Sequence, residues 1–376
     1  MVIYIVIFLL FYSASMFEAN GLKKKQASWL FSALAALLVL FVGLRYNTGA
    51  DWDFYKQIFY GYSSDTEYGY LLLNKVFKTI FNNYYILQFS ATLFFVFSVS
   101  RFYKKEVSYP IAALTLLMCF MLFNILMAQV RQSIAIAIIV MFSNYIFERK
   151  LLNFLIVIFV ASFFHTSAIA AIPLYFLYKN YGKALPIILI LAANVLYFYP
   201  ELLKIIVLQV TPILPESLAD RATYYMVSIF AKKAEFNTGL FYLSQLAITL
   251  VLVSLVKIND NKTAFFINSL AMLAIIKALS TSIFILGRLE SYYLVYALVA
   301  FTYFWDIKIK QIQVRSTRLA FAAVLLLFFL VMPVKDITAT KISNITNRPI
   351  NYAIVPYYNC IFHPEEATQR KDWSEN

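Results

Sequence analysis

An all-α polytopic integral membrane protein is the fold class this sequence predicts, and three observations predict it. Hydrophobic residues fill 62% of the 376 positions and charged residues 14%, with mean hydropathy +0.73. Soluble domains run near half apolar and a quarter charged. Apolar stretches of about 17–25 residues recur, each long enough to cross a hydrocarbon core about 30 Å thick. They run continuously rather than alternating with period two, which argues against a barrel. In lipid each backbone N–H and C=O must then find its partner within the segment, so the stretches are helices.

The first apolar run, MVIYIVIFLLFYSASMFEANGLKKKQ, carries its positive charges behind it. A cleaved signal peptide carries them in front, so residues 2–18 read as a retained span. Further spans are expected near 27–43, 84–101, 109–127, 130–147, 151–164, 166–178, 184–199, 239–256, 263–286, 289–305 and 318–334, about twelve in all. The short loops LKKKQ (22–26), RFYKKE (101–106), ERK (148–150), KNYGK (179–183) and DIKIKQIQVRSTR (306–318) are basic and belong in the cytoplasm, with KINDNK (257–262) a weaker member. That pattern alternates if both termini lie outside. It also requires 151–178 to form two short arms meeting at FHTS, because one long span there reverses everything downstream.

No internal repeat, Gly/Ser linker or appended soluble domain is visible, so residues 1–376 are expected to form a single transmembrane domain. Its outer side receives the loops 44–83 and 200–238, tight turns around Arg131, His165 and Arg288, and the tail 335–376. Two segments read as outer-face interfacial helices. ELLKIIVLQV precedes Pro212. YLLLNKVFKTIF (70–81) sets Leu71, Leu72, Val76, Phe77 and Ile80 against Asn74, Lys75 and Lys78. The net charge of +13 is explained by the cytoplasmic loops, so nucleic acid is not expected as a partner. Cys119 and Cys360, one in an apolar run and one in the polar tail, make neither a disulfide framework nor a metal site.

Polar residues that are unusual for their surroundings gather on the outer side. Residues 43–70 carry Arg45, Asp51, Asp53, Asp65 and Glu67 among aromatic rings. Arg131 and Gln132 interrupt LMAQVRQSIAIA, His165 interrupts SFFHTSAIAAIP, and Arg288 and Glu290 lie in ILGRLESYYLVY. A charge at membrane depth is costly and is usually paired or lines a wet cavity, so these residues are expected to share one outer-leaflet pocket. Each also has a plainer reading. Arg45 and Arg288 sit at helix ends, where arginines snorkel, and Glu67 could simply favour a helix start. Lys277 is expected about two turns inside a span, with Thr281, Phe284 and Arg288 following on one helical face.

Arg forks match phosphate oxygens in bidentate geometry and could hold a diphosphate leaving group, while Asp or His could activate an acceptor hydroxyl. Gly-rich phosphate loops, G-x-S-x-G elbows and second ligands at zinc spacing are missing, so no cofactor and no metal are expected. DWD (51–53) has the form of a D-x-D metal motif, a match too short to weigh.

The segments GLRYNTGADWDFY, EYGYLLLNKVF, VRQSIAIAI, FFHTSAIAAIPLYFL, GRLESYY and VPYYNC resemble, in this order, the EpsG-like proteins. These are Wzy-type polymerases of bacterial O-antigen, capsule and exopolysaccharide, and the resemblance runs from about residue 40 to 360. It implies a GT-C-like glycosyltransferase of the bacterial inner membrane with its site facing the periplasm. The implied partners are undecaprenyl-diphosphate-linked glycan donor and acceptor, the membrane lipid, and a separate chain-length regulator. Carried over, Arg45, Asp51, Arg131, His165 and Arg288 are the implied catalytic residues. Asp53, Glu67, Gln132, Lys277, Glu290 and Tyr292 would contact substrate. Arg131 and Arg288 would grip the diphosphate, and Asp51 or His165 would be the base. A flippase of lipid-linked sugars would need a central wet cavity instead, and a ligase-type transferase would differ only in its acceptor.

Overall fold

The computed structural model describes residues 1–61, 66–199, 240–280, 286–311, 314–338 and 357–361, with isolated positions between 201 and 220 and at 354–355. The chain divides into two compact units. One comprises Met1–Ser143, Leu155–Ala168 and Trp305–Asn376, the other Asn144–Phe154 and Ile169–Phe304.

The first unit opens with α1 (Val2–Ala19), α2 (Lys24–Gly43), strand β1 (Arg45–Tyr46), α3 (Trp52–Tyr60), α4 (Tyr68–Phe81) and α5 (Tyr84–Glu106). Helix α6 (Pro110–Met121) then continues as a π-helical turn over Leu122–Ala128, and α7 spans Val130–Met141. In the second unit and across its boundaries follow α8 (Asn144–Phe147), α9 (Leu151–Ser162), a 3₁₀ turn over Thr166–Ala171, α10 (Leu174–Leu177), α11 (Ala184–Phe198), α12 (Leu240–Leu255), α13 (Asn261–Ser280) and α14 (Gly287–Gln311). Helix α15 (Arg315–Thr338) and strand β2 (Tyr358–Asn359) close the first unit.

Among the described residues five helices are long and apolar enough to cross a membrane: Val2–Ala19, Lys24–Gly43, Tyr84–Glu106, Pro110–Ala128 and Asn261–Ser280. Val130–Met141, Leu151–Ser162, Thr166–Leu177, Ala184–Phe198 and Tyr242–Leu255 are shorter apolar helices. The helical class is therefore as expected, and five of the described helices reach spanning length. The apolar surface left open on α1 (Val2, Ile3, Ile5, Val6, Leu9 and Leu10) is far too large for water and suits lipid. The helix is interrupted at FHTS, since α9 stops at Ser162 and the chain resumes at Thr166 as a 3₁₀ turn. Half of the segment ELLKIIVLQV falls outside the described residues.

In the first unit, buried polar groups close the helix ends that the apolar sequence leaves uncapped. Glu18, at the end of α1, accepts from the backbone N–H of Ile111 (3.1 Å) and Ala112 (2.9 Å), capping the start of α6. At the opposite end of the helices Arg45 is wholly buried. Its guanidinium donates to Val42 O (2.7 Å), Thr48 O (3.0 Å) and Met127 O (3.1 Å). Val42 and Met127 belong to the last turns of α2 and of the π-helical segment, so one cation meets the negative ends of two helix dipoles. Gly49 (φ +117°) completes the join, because a Cβ there would lie 2.0 Å from Met127 O. Gln88 donates to Gly43 O and Arg45 O, and receives the Trp52 indole N–H.

The tail returns to this same end, a pairing the sequence reading does not anticipate. Strand β2 pairs antiparallel with β1, Arg45 opposite Asn359 and Tyr46 opposite Tyr358. Tyr357 stacks on Phe41 at 4.6 Å and donates to its carbonyl. The first and last of the six quoted segments thus form one ladder.

Helix α4 is present where a helix was expected. Leu71, Leu72, Val76 and Ile80 are exposed, while Tyr70 and Asn74 are buried, with Asn74 Nδ2 donating to Tyr70 O. A helix lying against lipid presents its apolar side outward, as these residues are placed, and Asn74 on its polar side faces protein.

Candidate functional site

The polar cluster of the first unit is built around Glu67, the residue that starts α4. Its Oε2 pairs with Arg131 Nη1, and its Oε1 lies 3.1 Å from each of His165 Nδ1, Thr166 N and Thr166 Oγ1. Arg131 also reaches Tyr55 Oη at 3.5 Å and stands 5.6 Å from the centre of that ring. Four elements therefore meet: α3 through Tyr55, α4 through Glu67, the first turn of α7 through Arg131, and the break after α9 through His165 and Thr166. Arg131 lies in a helix start rather than the expected tight turn, because Gln129 closes the π-helical segment and α7 begins at once. π-helical turns are frequently found beside functional sites.

Burial alone would push the Glu67 carboxyl up. Hydrogen bonds from His165 and from its own backbone, the Arg131 charge and the Thr166 N–H outweigh that and hold it well below the ordinary carboxylate range. Tyr55 is shifted upward, chiefly by burial, with Asp51 adding to the effect and Arg131 opposing it.

Gly69 fastens this arrangement. Its N–H donates to Phe163 O at 2.9 Å, two residues before His165, and a Cβ on Gly69 would stand 2.7 Å from that same oxygen. Gly69→Ala must therefore push α4 off the end of α9. The expected cost is about 1–3 kcal/mol, measured as a lowered thermal midpoint of the detergent-solubilised protein; an unchanged midpoint would show that the contact is dispensable. Beside it lies an apolar cleft of about 410 Å³ lined by α4, the end of α9 and the residues just after it, among them Leu72, Val76 and Phe163.

The remaining expected residues of the first unit lie around the cluster or below it. Asp51 immediately precedes α3, and Asp53 is exposed in its first turn. Gln132 is buried next to Arg131, and Arg45 is spent on backbone carbonyls. In the first unit the expected residues Glu67, Arg131 and His165 touch one another through the Glu67 carboxylate. Tyr55, Gly69 and Thr166 were not singled out from sequence, although each lies within or beside a quoted motif.

Arg288, Lys277, Glu290 and Tyr292 belong to the second unit. Lys277 Nζ lies 3.4 Å from Glu290 Oε2, and Ser280 Oγ reaches Glu290 Oε1 at 2.7 Å. Arg288 is exposed in the first turn of α14, and Tyr292 is buried one turn on. The expected single helical face running from Lys277 to Arg288 passes through residues 281–285, which lie outside the described residues. Helix α13 is described to Ser280, with Lys277 in its last described turn, and α14 from Gly287. Thr281 and Phe284 lie outside the described residues.

Apolar helices of spanning length, joined to a half-buried Arg–Glu–His cluster at helix ends, define an integral membrane protein with a built polar site. The EpsG family model matches residues 28–359, and the chain belongs to that family. Membership makes it a polysaccharide polymerase-like membrane protein, glycosyltransferase-like at that level. No curated protein and no solved structure matches it.

Proposed function

We propose that this protein polymerises undecaprenyl-diphosphate-linked oligosaccharide repeat units into O-antigen or a related surface polysaccharide, working as a Wzy-type, GT-C-like glycosyltransferase at the periplasmic face of the bacterial inner membrane. The observation that carries the reading is the meeting of Arg131, Glu67 and His165, from distant parts of the chain, at one end of the first unit's helices. The basic segments LKKKQ and RFYKKE sit at the other end of α2 and α5, which favours an outward-facing site. Glu67 and Tyr55 engage Nη1 and Nε of Arg131, and Nη2 remains to donate to a phosphate oxygen of the leaving group. A neighbouring base, Asp51 or His165, takes the acceptor's proton. Arg288 in the second unit carries the same phosphate-binding proposal on its own. The carrier lipid and a chain-length regulator are the proposed partners, and no cofactor enters the reading.

The test replaces Arg131, His165 and Arg288 singly with Ala in a strain lacking the native gene and resolves the surface glycan by gel. Expected is a loss of the polymer ladder of about 100-fold or more for an essential acid–base or charge contact, with single repeats still capped. Lipid-linked unit stranded in the cytoplasmic leaflet would identify a flippase instead. Unchanged ladders in all three variants, at normal protein levels, would refute the site.

A further inference from the structure

Four donors converge on the Glu67 carboxylate, and one of them determines the chemistry of a ring. An ionised carboxylate only accepts hydrogen bonds, and Arg131 on Oε2 with Thr166 on Oε1 keeps this one ionised. The 3.1 Å contact between Glu67 Oε1 and His165 Nδ1 therefore requires the hydrogen to sit on Nδ1, the less usual position for a neutral imidazole in water. Nε2 on the far side of the ring is buried and has no hydrogen-bond partner. A proton there would be an unsatisfied buried donor, which is the costlier alternative to a bare lone pair. Geometry on both sides of the ring thus selects one tautomer. The selection is rigid, since Glu67 is fixed by the start of α4 and His165 by the chain that Gly69 clasps through Phe163 O.

We infer that Glu67 is a positioning residue, not a substrate ligand: it fixes the His165 tautomer and makes Nε2 the atom that removes the proton from the acceptor sugar's hydroxyl. The tautomer stands on the contacts alone, whereas the use of the lone pair rests on the glycosyl-transfer reading above. In that step the acceptor O–H bond breaks and its proton passes to Nε2. The oxygen forms a bond to the anomeric carbon, and the carbon–oxygen bond to the diphosphate breaks, its electron pair leaving with the lipid diphosphate beside Arg131. The imidazolium so formed keeps Glu67 as its counter-charge on Nδ1, and the proton is then released to water. Nε2 is closed to solvent in this structure, so arrival of the acceptor displaces the side chains over the ring; hydrogen bonds of this kind complete themselves when substrate binds.

The chain contains two histidines, His165 and His363, which makes the tautomer directly measurable. Full-length protein labelled with ¹⁵N-histidine is placed in lipid nanodiscs above the ordinary titration range of imidazole, and a His363→Gln variant assigns the signals. The expected His165 spectrum has Nδ1 protonated and Nε2 bare. Glu67→Ala is expected to move the majority of the population to Nε2–H. Glu67→Gln, which retains an acceptor oxygen, is expected to keep the wild-type tautomer. A wild-type His165 protonated on Nε2 overturns the inference without any need for a variant, as does a Glu67→Ala spectrum identical to wild type. The gel assay separates this inference from the functional reading. A correct tautomer with full ladders in Glu67→Ala and His165→Ala leaves the positioning role intact and removes the transferase role. A wrong tautomer with the ladder still lost in Arg131→Ala does the reverse.

Discussion

Arg45→Ala is expected to abolish the polymer by unfolding the protein rather than by disabling its chemistry. The guanidinium is wholly buried and its donors go to Val42, Thr48 and Met127 carbonyls. Removing it strands three buried acceptors and withdraws the cation that faces two helix ends. A cost of about 3 kcal/mol or more follows, since each lost partner of a buried polar group accounts for about 1–3 kcal/mol. Lys cannot span three carbonyls with one ammonium, so Arg45→Lys is expected to be nearly as damaging. The measurement is the thermal midpoint and monodispersity of purified protein, taken beside those of His165→Ala, which is expected to remain folded. If Arg45→Ala purifies with a wild-type midpoint and loses only the ladder, Arg45 belongs to the reaction and the structural account of it is wrong.

Arg45 also shows where reading from sequence stops. An arginine that grips a diphosphate and one that grips helix-end carbonyls need the same thing, a loop beside an apolar run, and GLRYNTGADWDFY supplies it for both. What separates them is Met127, 82 positions away. The membrane helices were legible because continuous apolarity is a local property, and the break at His165 because FHTS interrupts it. The burial of Asn74 on α4 was not, since its partner Tyr70 and the protein around it do not show in the pattern. Gly49 and Gly69 read as ordinary glycines until Met127 O and Phe163 O are placed against them. Gln88 did leave a signal, a lone amide within an apolar span, and its hydrogen bonds to Gly43, Arg45 and Trp52 account for it. Glu67 and His165 were each singled out, yet their contact spans 98 positions and no local pattern encodes it.

Reversing the charge at Arg131 gives the other large expected effect, and its sign with pH distinguishes pairing from packing. In the wild type the folded-state Glu67 carboxyl is held well below its ordinary value of 4.5. Its contribution to stability is fully present above that ordinary value and is lost as pH falls toward the lowered one. Arg131→Glu puts a second carboxylate against the first, in a site where the paired side chains are only 20% and 16% exposed. Like charges this close raise the pKa of one partner, so the variant is expected to lose about 2 kcal/mol near neutral pH, a figure reduced for the partial exposure. It should regain stability as pH falls from about 8 to 5 and one carboxyl takes up a proton, where the wild type gains nothing. The double variant Glu67→Arg with Arg131→Glu restores opposite charges and is expected to recover much of the thermal midpoint at neutral pH. It leaves His165 Nδ1 and the Thr166 N–H facing a cation that cannot accept from them, so the ladder should remain absent. A double variant that polymerises would mean that this cluster serves the fold alone. A single variant whose stability does not respond to pH would mean that Arg131 and Glu67 are not coupled in the membrane.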